Sequence, residues 1–379
     1  MTKAGVYIHI PFCRARCSYC DFATGTYESA LAKRYVDAVC REIAAFRIGD
    51  PTLIEADTIY FGGGTPSLLS PVQVNQILSA VRSRYTVTDD AEITMEMNPG
   101  TVTAETLIEY RRLGVNRASF GAQTFDDDEL RRLGRTHTAD DVRSTIDLLR
   151  EAGFDNTSFD LIAGLPAQTL DAWKRNLDEA LALEPEHLSF YLLEVHQGTP
   201  LAAQIARGRQ PAPDDDIAAE MYRMMLDRSS AAGYEHYEIS NLCKPGFESR
   251  HNSKYWTGAP VFGFGCSAHS YDGIRTRWSN ERDAVMYTNL IESKGNVVVE
   301  IVDLDESDIR SEAVFLGLRL MRGIDLREHR KRFGSDLREE FASDLSRLDD
   351  AGLVTIEDDL LSLTRDGVLL SNEVFAVFV

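Results

Sequence analysis

The sequence predicts an α/β fold: a partial (β/α)6 barrel, then an extension, then a small winged-helix-like C-terminal unit. Three observations predict it. Short apolar runs alternate with amphipathic stretches through the first half of the chain. After Pro200 the alternation stops, and a stretch rich in aromatics, glycine and histidine takes over. The chain then returns to helical patterns and closes with two short β-like runs joined by the acidic turn Glu357-Asp358-Asp359.

Strands are expected over residues 5–10, 57–61, 92–97, 117–120, 157–162 and 188–193. Between them, apolar periodicity predicts helices over 32–46, 72–85, 104–113, 139–152 and 170–183. Ser70-Pro71 supplies a cap and a first-turn proline for the second of these. Strand and helix in alternation imply parallel strands with crossover helices. A weak internal echo supports this. Gly114-Val-Asn-Arg-Ala-Ser-Phe120 resembles Gly153-Phe-Asp-Asn-Thr-Ser-Phe159, each a glycine that can end a helix before a strand begins. Six units make a partial barrel, assigned to residues 1–205.

Residues 206–300 form the extension expected to close the barrel. Residues 208–216 are polar and proline-bearing, 217–232 reads as a helix, and 234–278 is poor in helical period. Residues 301–379 form the third unit, with helices expected over 307–321, 326–333 and 337–351 and β-runs over 353–356 and 360–364. An acidic winged unit is expected to pack or dock rather than read DNA.

Composition excludes several classes. The chain has 379 residues, 44% hydrophobic and 26% charged, as globular proteins do. No apolar run is long enough to span a membrane. The N-terminus, through Val6-Tyr-Ile-His-Ile-Pro-Phe-Cys13, lacks the long apolar region and cleavage site of a secretory leader, so the cytoplasm is the expected compartment. A net charge of −20 argues against nucleic acid as a partner.

Three of the six cysteines fall in Cys13-Arg-Ala-Arg-Cys17-Ser-Tyr-Cys20, directly after the first expected strand. A disulfide among them would leave one thiol over, whereas three thiolates on one loop can converge on a metal centre. In barrel enzymes a loop at a strand C-terminus lies on the active face. A four-iron cube needs four ligands. Three from this loop leave one iron open, unless Cys40, Cys243, Cys266 or a small molecule fills it; those three cysteines read better as small buried residues.

Two further signals follow. Phe61-Gly62-Gly63-Gly64-Thr65-Pro66 exposes backbone groups to close approach, although a tight turn explains it equally well. Glu96, Gln123, Arg135 and Asp160 fall at or near strand ends. Singly, each can be an ordinary salt-bridging or capping residue. Together they bring an acid, an amide, a guanidinium and a second acid to one barrel mouth, a set suited to a small zwitterion with a sugar attached.

Cys-x3-Cys-x2-Cys after a first strand, with an aromatic (Tyr19) before the last cysteine, resembles the signature of the radical S-adenosylmethionine (SAM) superfamily. Tyr7-Ile-His-Ile-Pro-Phe-Cys13, Tyr60-Phe-Gly-Gly-Gly-Thr-Pro66, Leu133-Gly-Arg-Thr-His137 and Asp160-Leu-Ile-Ala-Gly-Leu-Pro166 are similar to the oxygen-independent coproporphyrinogen III oxidase family, over essentially the whole chain. The resemblance implies a radical SAM barrel in which Cys13, Cys17 and Cys20 bind a [4Fe–4S] cluster and SAM takes the open iron. It implies that Tyr7 and Tyr19 line the cluster and SAM pocket and that Gly63, Gly64 and Thr65 contact the methionine part. Glu96 and Arg135 would complement its charges, and Gln123 with Asp160 would hold the ribose. The implied chemistry is one-electron reduction of the sulfonium to methionine and a 5′-deoxyadenosyl radical, with a donor such as flavodoxin or ferredoxin.

Two departures separate the chain from the oxidase. The oxidase motif extends to a further cysteine two residues on, where this chain has Phe22, and its N-terminal arm is longer, whereas here Tyr7 stands near the start. Both features resemble the HemW branch, a group of haem-binding chaperones. His251-Asn252-x-x-Tyr255-Trp256 is similar to the HNxxYW motif associated with haem binding in that branch. The resemblance implies His251 as an axial ligand, with Asn252, Tyr255 and Trp256 around the porphyrin, and Cys243, Cys266 and His269 as secondary candidates. The alternative is that His251 and Trp256 brace the open side of the barrel. His9 is expected to hydrogen-bond within the barrel mouth. The implied function is delivery of haem to an acceptor protein, soluble or membrane-associated; oxidative decarboxylation of coproporphyrinogen III is the alternative. A radical SAM methyltransferase fits less well, since no second methyl-accepting cysteine pair is present.

Overall fold

The computed structural model describes residues 3–47 and 54–379. The reading of the N-terminus as leaderless begins on residues 1 and 2, outside that range. The six expected strands are Ala4–Ile10, Glu55–Gly63, Thr86–Met97, Arg117–Gln123, Thr157–Ala163 and His187–Leu192. They lie side by side in that order, each parallel to the next. The side chains of Ala4–Ile10 and Thr157–Ala163 are buried almost continuously, because helices cover one face and the barrel interior the other.

The crossover helices follow local signals. Helix Pro71–Arg84 starts at Ser70, whose hydroxyl accepts from the Gln73 N–H while the Gln73 side chain accepts from the Ser70 N–H. Helix Ala104–Leu113 ends at Gly114, whose φ of 101° is left-handed, and Gly153 does the same after helix Ala139–Glu151 with φ 84°. Both halves of the sequence echo thus close a helix ahead of a parallel strand.

The sheet does not stop at six strands. Among the described residues it has twelve, and residues beyond 206 extend both edges. Val261–Phe264 pairs parallel with the first strand and is followed by antiparallel His269–Tyr271, Thr276–Asn280 and Val298–Asp303. Asn241–Cys243 and Glu235–Glu238 add antiparallel strands beyond the sixth. Helices Arg250–Thr257 and Ala284–Ser293 also lie in the extension. The first escapes a reading of periodicity because its eight residues are mostly polar, and tertiary contacts rather than an apolar stripe hold it.

The C-terminal unit packs helix Glu306–Leu318 and helix Leu326–Phe333 with a three-stranded sheet of Ile324–Asp325, Leu360–Leu363 and Val354–Glu357 in that order. The single helix expected over 337–351 is two, Leu337–Glu340 and Ala342–Asp350. The break falls at Phe341, whose ring meets Phe378 edge-on at 5.0 Å. Backbone bonds from Ile239 N–H to the Arg319 carbonyl (3.1 Å) and from Met321 N–H to the Tyr237 carbonyl (3.0 Å) tie this unit to the extension.

Candidate functional site

The cysteine loop leaves the first strand and is closed at its base by a short parallel pairing of Phe12–Cys13 with Gly25–Thr26. Gly25 N–H donates to the Pro11 carbonyl at 2.7 Å and Tyr27 N–H to the Cys13 carbonyl at 2.9 Å. The glycine loop is stitched to it, with Gly64 N–H on the Ile10 carbonyl and Thr65 N–H on the Phe12 carbonyl, both at 2.8 Å. Gly64 is required by this approach: a Cβ there would stand 2.7 Å from the Phe12 carbonyl oxygen and 3.0 Å from Cys13 Sγ. From the other side, Ser18 N–H donates to the Leu133 carbonyl at 2.9 Å, which docks the loop against the segment carrying Arg135.

Cys13, Cys17, Cys20, Tyr19, Gly63, Gly64, Glu96, Gln123, Arg135 and Asp160 all line one cavity of about 400 Å³ at the C-terminal ends of the strands. Two residues assigned to this pocket lie elsewhere. Thr65 is buried beneath it, accepting from Asn98 Nδ2 at 2.9 Å and donating to Cys13 Sγ at 3.8 Å. Tyr7 sits deeper in the barrel, its hydroxyl bonded to His9 Nδ1 at 3.1 Å and its ring against Tyr60. His9 Nε2 reaches the Ala23 carbonyl at 3.1 Å.

The cysteines and their neighbours suit an iron–sulfur cluster with an open corner. All three thiols are free and half-buried. Arg135 Nη1 donates to Cys17 Sγ at 3.4 Å. No other thiol among the described residues lines this cavity. Cys243 and Cys266 are completely buried, and burial pushes both thiols up to about 12; Cys40 lies on helix Ser29–Ala45. Among the described residues no three His, Cys, Asp or Glu side chains gather closely enough to hold a single ion. A four-iron cube has no such need, because each thiolate binds a different iron.

The acids around the cavity are tuned by burial. Glu96 accepts from the Tyr60 hydroxyl at 2.7 Å and from Gly63 N–H at 3.0 Å, yet burial raises its pKa to about 7. Burial likewise raises Asp160 to about 6. Arg135 Nη2 donates to Asn98 Oδ1 at 3.1 Å and to the Gly121 carbonyl, while its buried Nε has no partner among the described residues. A carboxylate-bearing ligand would satisfy that nitrogen. Gln123, beside it, holds φ at 66°, a left-handed conformation uncommon outside glycine.

Asn98 is the member that sequence reasoning overlooked: it bridges Arg135 and Thr65 and lines the cavity. Its signal was its place two residues after Glu96, just past the end of the same strand. Tyr191 and Ser119 also line the cavity, and nothing in their sequence context sets them apart.

The structure divides the His251–Trp256 motif between two faces of one helix. The Glu92 carboxylate accepts from the N–H groups of Arg250 and His251 and anchors the helix start. His251 points into the barrel and is 1% exposed. Its Nδ1 pairs with Thr58 Oγ1 at 2.8 Å, its Nε2 with the Tyr255 hydroxyl at 3.2 Å, and its ring stacks on Tyr60 at 5.0 Å. Burial lowers its pKa to about 3, so it is a neutral imidazole with both nitrogens engaged. Iron ligation by His251 would first have to break one of these bonds. Asn252 and Tyr255 line none of the described cavities, whereas Trp256 faces a separate cleft against the C-terminal unit. His269 is exposed on its strand.

The strand-end cavity beneath a three-cysteine loop is the arrangement of a radical SAM protein, and residues 7–180 match the radical SAM superfamily. Residues 304–370 match the HemN C-terminal domain. The chain is 38% identical over 376 residues to Heme chaperone HemW of Bacillus subtilis, covering 98% of each chain. It is 36% identical over 375 residues to Heme chaperone HemW of Mycobacterium tuberculosis H37Rv, covering 98% and 93%. It belongs to the HemW family. Among solved structures, coproporphyrinogen III oxidase (HemN) from Escherichia coli shares the fold, with a TM-score of 0.85 at 24% identity over 100% of this chain and 90% of that one. No helix among the described residues is long and apolar enough to cross a membrane.

Proposed function

We propose that the chain is a cytoplasmic haem-binding chaperone that carries haem to an acceptor protein, holding a [4Fe–4S] cluster on Cys13, Cys17 and Cys20 with SAM in the adjoining cavity. The observation that carries this reading is the convergence of three thiols, Glu96, Arg135 and Asp160 on one cavity, in a chain whose full-length relatives bear the name haem chaperone. The cluster and SAM together supply one-electron chemistry when bound, with a small electron-transfer protein such as flavodoxin or ferredoxin as the donor. The residues of the chain orient and shield. Arg135 steadies the Cys17 thiolate and offers its free Nε to the SAM carboxylate. Glu96 offers a carboxylate to the ammonium, and Asp160 with Gln123 meets the ribose hydroxyls.

Phe22 speaks against the oxidase reading. It stands where the further cysteine of the oxidase motif would be, 63% exposed on the cavity lip. The test combines two assays on anaerobically reconstituted protein. Haem titration is expected to give a saturable complex. Incubation with SAM, reductant and coproporphyrinogen III is expected to give no sustained protoporphyrinogen. Sustained protoporphyrinogen formation would establish the oxidase instead.

A further inference from the structure

The histidine of the His251–Trp256 motif stands one side chain away from the cofactor cavity. His251 lies against Tyr60, with ring centroids 5.0 Å apart and planes 28° from parallel. The Tyr60 hydroxyl in turn donates to Glu96 Oε1 at 2.7 Å. Tyr7 completes the group, its ring 6.1 Å from Tyr60 and 6.3 Å from His251. The strands set this arrangement. Tyr7 and Tyr60 are partners across the first two barrel strands. Thr58, which pairs with His251 Nδ1 at 2.8 Å, precedes Tyr60 by two residues and shares its face of the strand.

The group has no slack. A Cβ on Gly62 would stand 2.9 Å from both the Tyr60 and the Tyr7 rings and 3.2 Å from Glu96 Oε1, so the rings fill the space up to the carboxylate. His251 is held at three atoms: Nδ1 by Thr58, Nε2 by the Tyr255 hydroxyl at 3.2 Å, and its backbone N–H by the Glu92 carboxylate at 3.0 Å. Burial lowers the imidazole pKa to about 3, with Lys254 and Arg117 acting in the same direction, so the ring is neutral. It therefore reaches Glu96 by packing rather than by charge. The tyrosines around Glu96 (Tyr7, Tyr60, Tyr191 and Tyr255) are kept neutral by burial. The charges that face it are Asp160 and Arg117, a buried guanidinium whose Nε and Nη1 have no partner among the described residues.

We propose that His251 is a positioning residue of the SAM cavity: stacked on Tyr60, it fixes the hydroxyl that holds Glu96 toward the ammonium of SAM. This inference rests on the SAM-binding reading above. Each oxygen of Glu96 then has one donor, the Tyr60 hydroxyl on Oε1 and the Gly63 N–H on Oε2 at 3.0 Å, and the carboxylate is held in one orientation. Without the imidazole a hole opens beside Tyr60, the ring shifts into it, and the hydroxyl leaves Oε1. Glu96 loses a donor that favours its ionised form, and it then ionises at a higher pH. The motif helix and the cofactor cavity are in this way one packed unit across the barrel.

The test measures SAM affinity of the anaerobically reconstituted chain by equilibrium dialysis between about pH 6 and about pH 9, with iron content as the control. His251→Ala is expected to keep its iron and to bind SAM about tenfold more weakly at pH 7. Most of that loss is expected to be recovered near pH 9, because the rise in affinity moves up by about one pH unit. Tyr60→Phe, which removes only the hydroxyl, is expected to behave in the same way. In the double variant the two losses are expected not to add, since the imidazole acts through that hydroxyl. His251→Phe, which keeps a ring against Tyr60, is expected to restore affinity to within about twofold of the unaltered chain. Additive losses, a loss in His251→Ala that is equal at every pH, His251→Phe as weak as His251→Ala, or normal SAM affinity in iron-loaded His251→Ala would each overturn the proposal. Failure of the unaltered, iron-loaded chain to bind SAM would overturn the reading beneath it instead.

Discussion

Arg135 Nη1 donates to Cys17 Sγ at 3.4 Å, so a guanidinium from beyond the fourth barrel strand sits on the middle thiol of the loop that follows the first. The contact links the metal side of the cavity to its ligand side. Arg135→Ala is expected to leave the visible iron–sulfur absorption in place and to weaken SAM by roughly 10- to 100-fold, the loss of one or two charge-assisted bonds. Equilibrium dialysis against labelled SAM measures it. Normal SAM affinity in this variant would show that the guanidinium serves the loop alone.

The pH response follows from Glu96. Its pKa of about 7 lies above the unfolded value of roughly 4.3, so between these two pH values the native state holds a proton that the unfolded chain has lost. The contribution of Glu96 to stability therefore falls as pH rises through that window. Ligand binding runs the other way. Below pH 7 an incoming ammonium meets a neutral acid, and above it a carboxylate, so SAM affinity is expected to rise from pH 6 to pH 8. Glu96→Gln flattens both trends. Calorimetric titrations at three pH values decide it, and a slope that persists in Glu96→Gln points to Asp160.

Gly64→Ala tests the seam between the glycine and cysteine loops. The added methyl meets the backbone of the cysteine loop and Cys13 Sγ, neither of which is a flexible side-chain end. Iron content after reconstitution is expected to fall several-fold while the far-ultraviolet circular dichroism stays unchanged. Gly25→Ala, where a Cβ meets nothing within 4 Å, is the matched control and is expected to retain full iron.

Lys254 anchors the helix that carries the His251–Trp256 motif. Its Nζ lies 2.7 Å from Asp57 Oδ1 and donates to the Lys3 carbonyl at 2.8 Å, with both side chains largely buried. Lys254→Met leaves Asp57 with only the half-exposed Arg250 guanidinium at 3.3 Å, and is expected to cost about 3 kcal/mol in urea unfolding. A loss below about 0.5 kcal/mol would mean that water solvates Asp57 and that the pair is a surface one.

Much of the barrel was legible because parallel strands buried on both faces write themselves as apolar runs, and Ser70, Gly114 and Gly153 mark helix ends by known chemistry. The cysteine loop was legible because three thiols within eight residues have few other uses. The extension was not. Strands of three or four residues, such as Asn241–Cys243, and a polar eight-residue helix carry too little periodicity, and their places on the sheet edges depend on contacts far along the chain. The opposite directions taken by His251 and Trp256 were likewise hidden until that helix was seen, since five positions along an α-helix turn a side chain well away from the first.

The decisive measurement is the count and coordination of iron in anaerobically reconstituted protein, by Mössbauer and electron paramagnetic resonance spectroscopy with and without SAM. The expected result is four irons per chain, lost in Cys17→Ala, with one iron site whose signal changes when SAM is added. A chain that takes up no cluster, or a cluster whose four irons are all insensitive to SAM, would contradict the three-thiolate centre on which the functional reading stands.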